Sequence, residues 1–138
     1  MVAARTVDHV VEPGTARASF CLRTGDRPGA RRALAAAHTA ALRTRDLPIL
    51  AVVAVHTAAL ADARALRHQA AFRLGAASRL RGTHDRTDPQ VRDLTRNGRD
   101  ALGVDAFAAA YDEGWRLDRA TAATEVDPAR MPGDQQVH

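Results

Sequence analysis

The chain has 138 residues, a net charge of +4 and a single cysteine, Cys21. That length suits one compact domain able to bury most of its apolar surface, and one cysteine excludes an internal disulfide framework and a cysteine-cluster zinc site. Every basic residue is arginine, acidic residues are interspersed among them, and aromatic residues make up only 4%. With neither a concentrated basic face nor a base-stacking platform, nucleic-acid binding by this chain alone is not expected.

Residues 1–14 lack a firm period and end in the breaker Pro13-Gly14, so they read as a flexible arm. From Thr15 to Val126 the pattern is helical. ARASFCLRTGD places Ala18, Cys21 and Leu22 at helical spacing and stops at Gly25, a natural residue to follow a helix. Asp26 caps the next helix, with Pro28 in its first turn. This helix runs to Thr44 and gathers Ala30, Leu34, Ala37, Ala41 and Leu42 on one face. Asp46 and Pro48 open a third helix, LPILAVVAVHTAALA, which is apolar nearly all round and therefore belongs in the centre. A buried strand is the competing reading of ILAVVAV, but the apolar run outlasts a strand. The same run is too short to span a bilayer and no signal-type start precedes it, so a soluble, cytoplasmic protein without membrane contact is expected.

A short link at 61–63 leads to a fourth helix from about Asp62 to Leu80. Leu66, Ala70, Leu74, Ala77 and Leu80 share its main face. Ala71, Gly75 and Ser78 form a strip of small residues opposite, where a second helix is expected to press. RGTHDRTDPQ reads as a loop ending in a capping box, with Thr87 as N-cap and Gln90 three residues on. The fifth helix, VRDLTRNGRDAL, turns Val91, Leu94, Ala101 and Leu102 inward. AFAAAYDEGW forms a sixth, and Asp118 caps a short seventh, RATAATEV. Residues 127–138 lack a periodic apolar pattern and read as a disordered tail. Helix pairs joined by brief turns, at 16–45 and 47–82, predict an all-α fold. Its expected form is antiparallel helix pairs stacked as a short tetratricopeptide-like α-solenoid with a helical carboxyl-terminal cap.

The run TGDRPGARRALAAAHTAALRTRD, then GAASRLRG at Gly75 to Gly82, the TDPQ turn and ALGVDAFAAAYDEGWRLDRATA resemble a known family. It is the carboxyl-terminal region of large ATP-binding, antibiotic-regulatory transcriptional regulators of actinobacteria. The resemblance covers residues 15–126 and implies tetratricopeptide-like repeats serving transcription regulation in antibiotic biosynthesis. It does not carry ATP hydrolysis with it, because the chain has no phosphate loop ending in Gly-Lys-Ser/Thr and no lysine to build one. The turn ADARA lacks a glycine, and Arg73 stands where the repeat calls for leucine.

No catalytic constellation emerges, and no spacing implies a metal or other cofactor. His38, His56 and His68 fall on successive helices without a HExxH or His-x3-His partner, so ordinary packing outweighs ligation. Arg92, Arg96 and Arg99 make a basic stripe, read as a solvated face with Arg96 and Asp100 paired. Phe107, Tyr111 and Trp115 recur at helical spacing, which usually means packing. Cys21 reads as a small inert hydrophobe. The chain is therefore expected to be a non-enzymatic regulatory module that takes a protein or peptide partner, or senses a small molecule. Its concave groove would be lined by Arg23, His56 and Thr57, with Arg73 and Tyr111 in support. The rival reading is a small all-helical enzyme or ligand-binding protein of a biosynthetic pathway. Exposed apolar ends of a short array would favour a homodimer.

Overall fold

The structure, a computed structural model, describes residues 13–131. Seven α-helices make up the described residues: α1 (Pro13–Arg23), α2 (Arg27–Thr44), α3 (Leu47–Ala63), α4 (Arg67–Arg81), α5 (Pro89–Leu102), α6 (Val104–Trp115) and α7 (Arg119–Glu125). A 3-10 turn follows at Pro128–Arg130. No strand occurs among the described residues, and no helix there is long and apolar enough to cross a membrane.

Aspartate starts most of these helices, because a carboxylate can accept one of the orphan N–H groups of the first turn. Asp26 accepts from the Gly29 N–H at 2.8 Å, Asp46 from Ile49 at 3.1 Å and Asp118 from Thr121 at 2.7 Å. The fifth helix departs from the expected capping box. Asp88, not Thr87, is its cap and accepts from Gln90 N–H at 2.8 Å, while Thr87 donates its own N–H to Asp85. A carboxylate directly before Pro89 is the better-placed acceptor.

The first three connections are the same turn, evenly spaced at Gly25, Arg45 and Ala65. Each of these residues is left-handed, with φ of 83°, 56° and 61°. In each turn the next N–H reaches back into the helix just ended: Asp26 to Cys21 O at 2.7 Å, Asp46 to Ala41 O at 3.0 Å, Leu66 to Ala61 O at 2.8 Å. This double closure is the Schellman motif, normally built on glycine. Arg45 and Ala65 hold the glycine conformation at a cost of roughly 1–2 kcal/mol each. The turn at Ala65 also moves a boundary: α3 continues to Ala63, and the fourth helix starts at Arg67 rather than Asp62.

Tight turns make α1 and α2, then α3 and α4, antiparallel hairpins. The apolar α3 packs against α1, α2, α4 and α5, as its all-round apolarity predicts. Still more enclosed is α4, which meets α3, α5, α6 and α7. Its small strip lies against α6 at a crossing made by two glycines. A Cβ on Gly75 would collide with the carbonyl of Tyr111, and one on Gly114 with the carbonyl of Phe72 and the amide of Ala76. On α5 the expected inward face holds at Val91, Leu94 and Leu102 but not at Ala101. Leu94 is buried, but Ala101 is exposed, and Gly98 instead receives the Phe107 ring.

The chain then turns back on itself. The buried Nε2 of His38 on α2 donates to the Ala123 carbonyl at 2.7 Å, and Met131 is buried beside Ala18, Leu34 and Leu60. Residues 127–131, expected to belong to a disordered tail, are therefore part of the fold. Asp127 caps the 3-10 turn, and Met131 is core because a large apolar side chain meets the α1–α2 hairpin there. Residues 1–12 and 132–138, most of the expected arm and the rest of the tail, lie outside the described residues.

Candidate functional site

The five expected groove residues do not share a surface. Thr57 and Arg73 are fully buried and bonded to each other, the Arg73 guanidinium donating to Thr57 Oγ1 at 3.2 Å. Arg73 also donates to Gln69 Oε1 and to the Asp127 carbonyl, each at 3.2 Å. Burial pushes its pKa down to about 10, against the pull of Asp127 and Glu125, so it stays charged at neutral pH. Thus the place expected to hold a partner is filled by the protein's own carboxyl-terminal turn. A buried guanidinium needs several acceptors, and the backbone after α7 supplies one. His56 is half-buried and bonds the Val52 carbonyl of its own helix at 2.9 Å, while Arg23 is exposed and lies 5.9 Å from the Phe20 ring centroid. His38, His56 and His68 do not converge; among the described residues no three His, Cys, Asp or Glu side chains come together to hold a metal.

Tyr111 alone of the five stands at a cleft. The cleft, about 870 Å³, lies between α5 and α6 and is bordered by the loop through His84, Asp85 and Arg86. Its floor includes Val91 and Phe107, and Val104 stands exposed at its edge. Arg92, Arg96, Arg99 and Asp100 line the α5 wall, with Asp112 on α6 and Asp85 in the loop also bordering the cleft. Arg96 pairs with Asp93 at 3.1 Å rather than with Asp100, and Arg99 lies 5.6 Å from the Phe107 ring centroid. The arginine stripe is therefore one wall of a cavity, not only a solvated face.

The Tyr111 hydroxyl is held from two sides, by Ser78 Oγ at 2.5 Å and His84 Nδ1 at 2.7 Å. One phenol has one proton, so the chain of bonds is ordered. When His84 Nδ1 accepts, Tyr111 donates to it and Ser78 donates to Tyr111; when Nδ1 carries a proton, it donates to the phenol oxygen and the Tyr111 hydroxyl is released to donate to Ser78. Burial raises the Tyr111 pKa above its ordinary 10.0, against the lowering effects of Ser78 and nearby arginines, so the phenol is neutral at physiological pH. The loop that brings His84 is held by Asp85, whose carboxylate takes the N–H groups of Thr87 and Asp88 and is thereby kept below its ordinary 3.8. The His84 ring also rests on Trp115, centroids 4.1 Å apart, and Arg79 donates to the Trp115 carbonyl at 2.7 Å.

This arrangement presents oriented donors and acceptors beside an apolar floor, which suits binding. Ser78 is buried behind Tyr111 and does not line the cleft, so its hydroxyl positions the phenol. Sequence reasoning singled out Tyr111 but missed His84, which lies in an aperiodic loop, and assigned Ser78 only to the small strip. No spacing rule joins residues so far apart. Comparison with protein-family models, curated proteins and solved structures gives no match to this chain.

Proposed function

We propose that the protein is a non-enzymatic, tetratricopeptide-like helical regulatory module that binds an acidic, partly apolar segment of a protein partner in the α5–α6 cleft. The observation that carries this reading is the cleft itself: an arginine wall, an apolar floor and an exposed valine at the rim, alongside a fixed Tyr111 hydroxyl. Arginine, tyrosine and apolar anchors are the residue types that carry binding energy at interfaces. The two successive hairpins with identical turns, and the resemblance of residues 15–126 to regulators of secondary metabolism, support the repeat and regulatory parts of the proposal. Asp85, Asp100 and Asp112 break the arginine wall into separate positions, which suits a few acidic side chains of a peptide better than a continuous phosphate backbone.

Selection of random phage-displayed peptides on the immobilised protein tests this reading. Sequences that combine Asp or Glu with apolar residues are expected to enrich on the wild type and to disappear on the Arg92→Glu, Arg96→Glu double variant. Absence of enrichment, or equal enrichment on both proteins, sinks it. The doubly held Tyr111 favours a second reading, a small-ligand protein of a biosynthetic pathway in which the phenol fixes one polar group. There, Tyr111→Phe abolishes binding while charge reversal on α5 leaves it intact.

A further inference from the structure

The outer faces of α5 and α6 divide their charge by sign. Arg92, Arg96 and Arg99 stand exposed on α5, whereas Asp105, Asp112 and Glu113 are the only charged residues of α6. The aspartates of α5 offset this little, since Asp93 is already engaged by Arg96 at 3.1 Å. Around them the exposed surface is small or apolar, at Ala101, Val104, Ala108 and Ala109. Helical spacing places Val104, Ala108, Asp112 and Asp105 within one arc of α6 roughly 100° wide, with Ala109 beside it. The helix thus presents outward an acidic, partly apolar surface, next to a cleft suited to receive one.

In a lone copy these charges are poorly placed. Arg92 lies in the first turn of α5, at the positive end of the helix dipole, and that turn has no acidic residue. Asp112 and Glu113 lie in the last turn of α6, at the negative end, and that turn has no basic residue. Elsewhere the chain sets carboxylates against arginines, Asp62 on Arg67 at 2.8 Å and Glu125 on Arg130 at 3.2 Å. Here Arg92 and Arg99 make no ion pair among the described residues, and neither do Asp105, Asp112 and Glu113. One exposed face therefore carries cations without counter-charge on one helix and carboxylates without counter-charge on the next.

We propose that a second copy of this chain covers that face. In this dimer α6 of each copy lies along the α5–α6 cleft of the other, with its Asp105 and Asp112 on the other copy's arginines and its Ala108 and Ala109 toward the other copy's apolar floor. The proposal rests on that cleft taking an acidic, partly apolar segment, and it names the segment. A two-fold axis makes the contact self-complementary, because what α6 gives to the neighbouring cleft its own cleft receives. Both sets of charges are then satisfied at once, whereas a foreign acidic peptide satisfies only the arginines. Alanines on α6 let the two helices approach closely, and Val104, 64% exposed in the single copy, is withdrawn from water by the same contact.

Sedimentation equilibrium of the wild-type chain and of charge-reversed variants is the test. The wild type is expected to dimerise. Arg92→Glu with Arg99→Glu on α5, and Asp105→Arg with Asp112→Arg on α6, should each weaken the dimer by about 100-fold or more, since each sets like charges face to face. An equimolar mixture of the two variants should dimerise again, because every altered helix then meets the opposite charge. Asp112→Arg alone puts a cation at the favourable end of its helix, so it keeps the test open should a double variant fail to fold; it should weaken the dimer by about tenfold. A wild type still monomeric at about 0.1 mM, folded variants that dimerise as tightly as the wild type, or a mixture of folded variants that stays monomeric overturns the proposal. Phage-peptide selection on sparsely immobilised protein, where copies cannot meet, reads the cleft separately. A monomeric wild type that enriches acidic peptides overturns the second copy and leaves the acidic-segment reading intact; one that enriches none sinks both.

Discussion

Tyr111 shows how far a single residue can be read before its surroundings are known. Its recurrence with Phe107 and Trp115 marks a packed helix face, and packing does hold Phe107, which is buried against Gly98. What sets Tyr111 apart is the pair of partners brought from α4 and from the loop before α5. Tyr111 is the only tyrosine in the chain, so ultraviolet difference titration reads it directly. Its midpoint should lie above 10.0, in line with burial of the neutral phenol. Above pH 10.0 the unfolded chain ionises first and the folded chain holds its proton longer, so stability should fall as pH rises through that window. Tyr111→Phe should remove the tyrosine part of that fall. A midpoint at or below 10.0 contradicts the buried, doubly bonded geometry. The sequence marks Tyr111 as a residue of interest, but its partners belong to segments whose approach no local pattern encodes.

Between elements, the decisive contact is the crossing of α4 and α6 at Gly75 and Gly114. In an ordinary exposed helix, replacing glycine by alanine gains about 1 kcal/mol through propensity. At Gly75 the added methyl meets the Tyr111 carbonyl, which is backbone and cannot swing aside. Gly75→Ala is therefore expected to reverse the sign and destabilise by roughly 1–3 kcal/mol, the usual cost of overpacking. Urea denaturation measures it, and an unchanged or higher midpoint refutes the close crossing. The need for a neighbour at Gly75 is legible from Ala71, Gly75 and Ser78 sharing a strip; that the neighbour is α6, meeting it with Gly114, is not. The turn at Ala65 is similarly hidden. Alanine favours helix, so the local signal runs through a position that the fold holds left-handed, and the expected boundary falls several residues early.

For the molecule as a whole, the return of the chain after α7 closes the helices over the α1–α2 hairpin. Arg73 ties that return to the core through the Asp127 carbonyl and Thr57, and His38 ties it through Ala123. Arg73→Ala leaves those acceptors buried without their donor and opens a cavity, at an expected cost of about 3–5 kcal/mol. Arg73→Met keeps most of the volume and should cost less. Hydrogen exchange should quicken at residues 123–131 in both variants, and protection equal to wild type there would show that Arg73 does not hold the segment. The helical class, the central place of α3, the pressure on Gly75 and most helix starts follow from the sequence by itself, because period, capping carboxylates and proline act over one or two turns. Tertiary structure alone decides which helices meet and that the supposed groove at Thr57 and Arg73 is filled from within. It also decides that Tyr111 stands at a cleft lined by the arginines and aspartates of α5 and α6. Those outcomes depend on contacts between residues distant in the chain, where burial and charge are settled by what each side chain meets rather than by its neighbours in sequence.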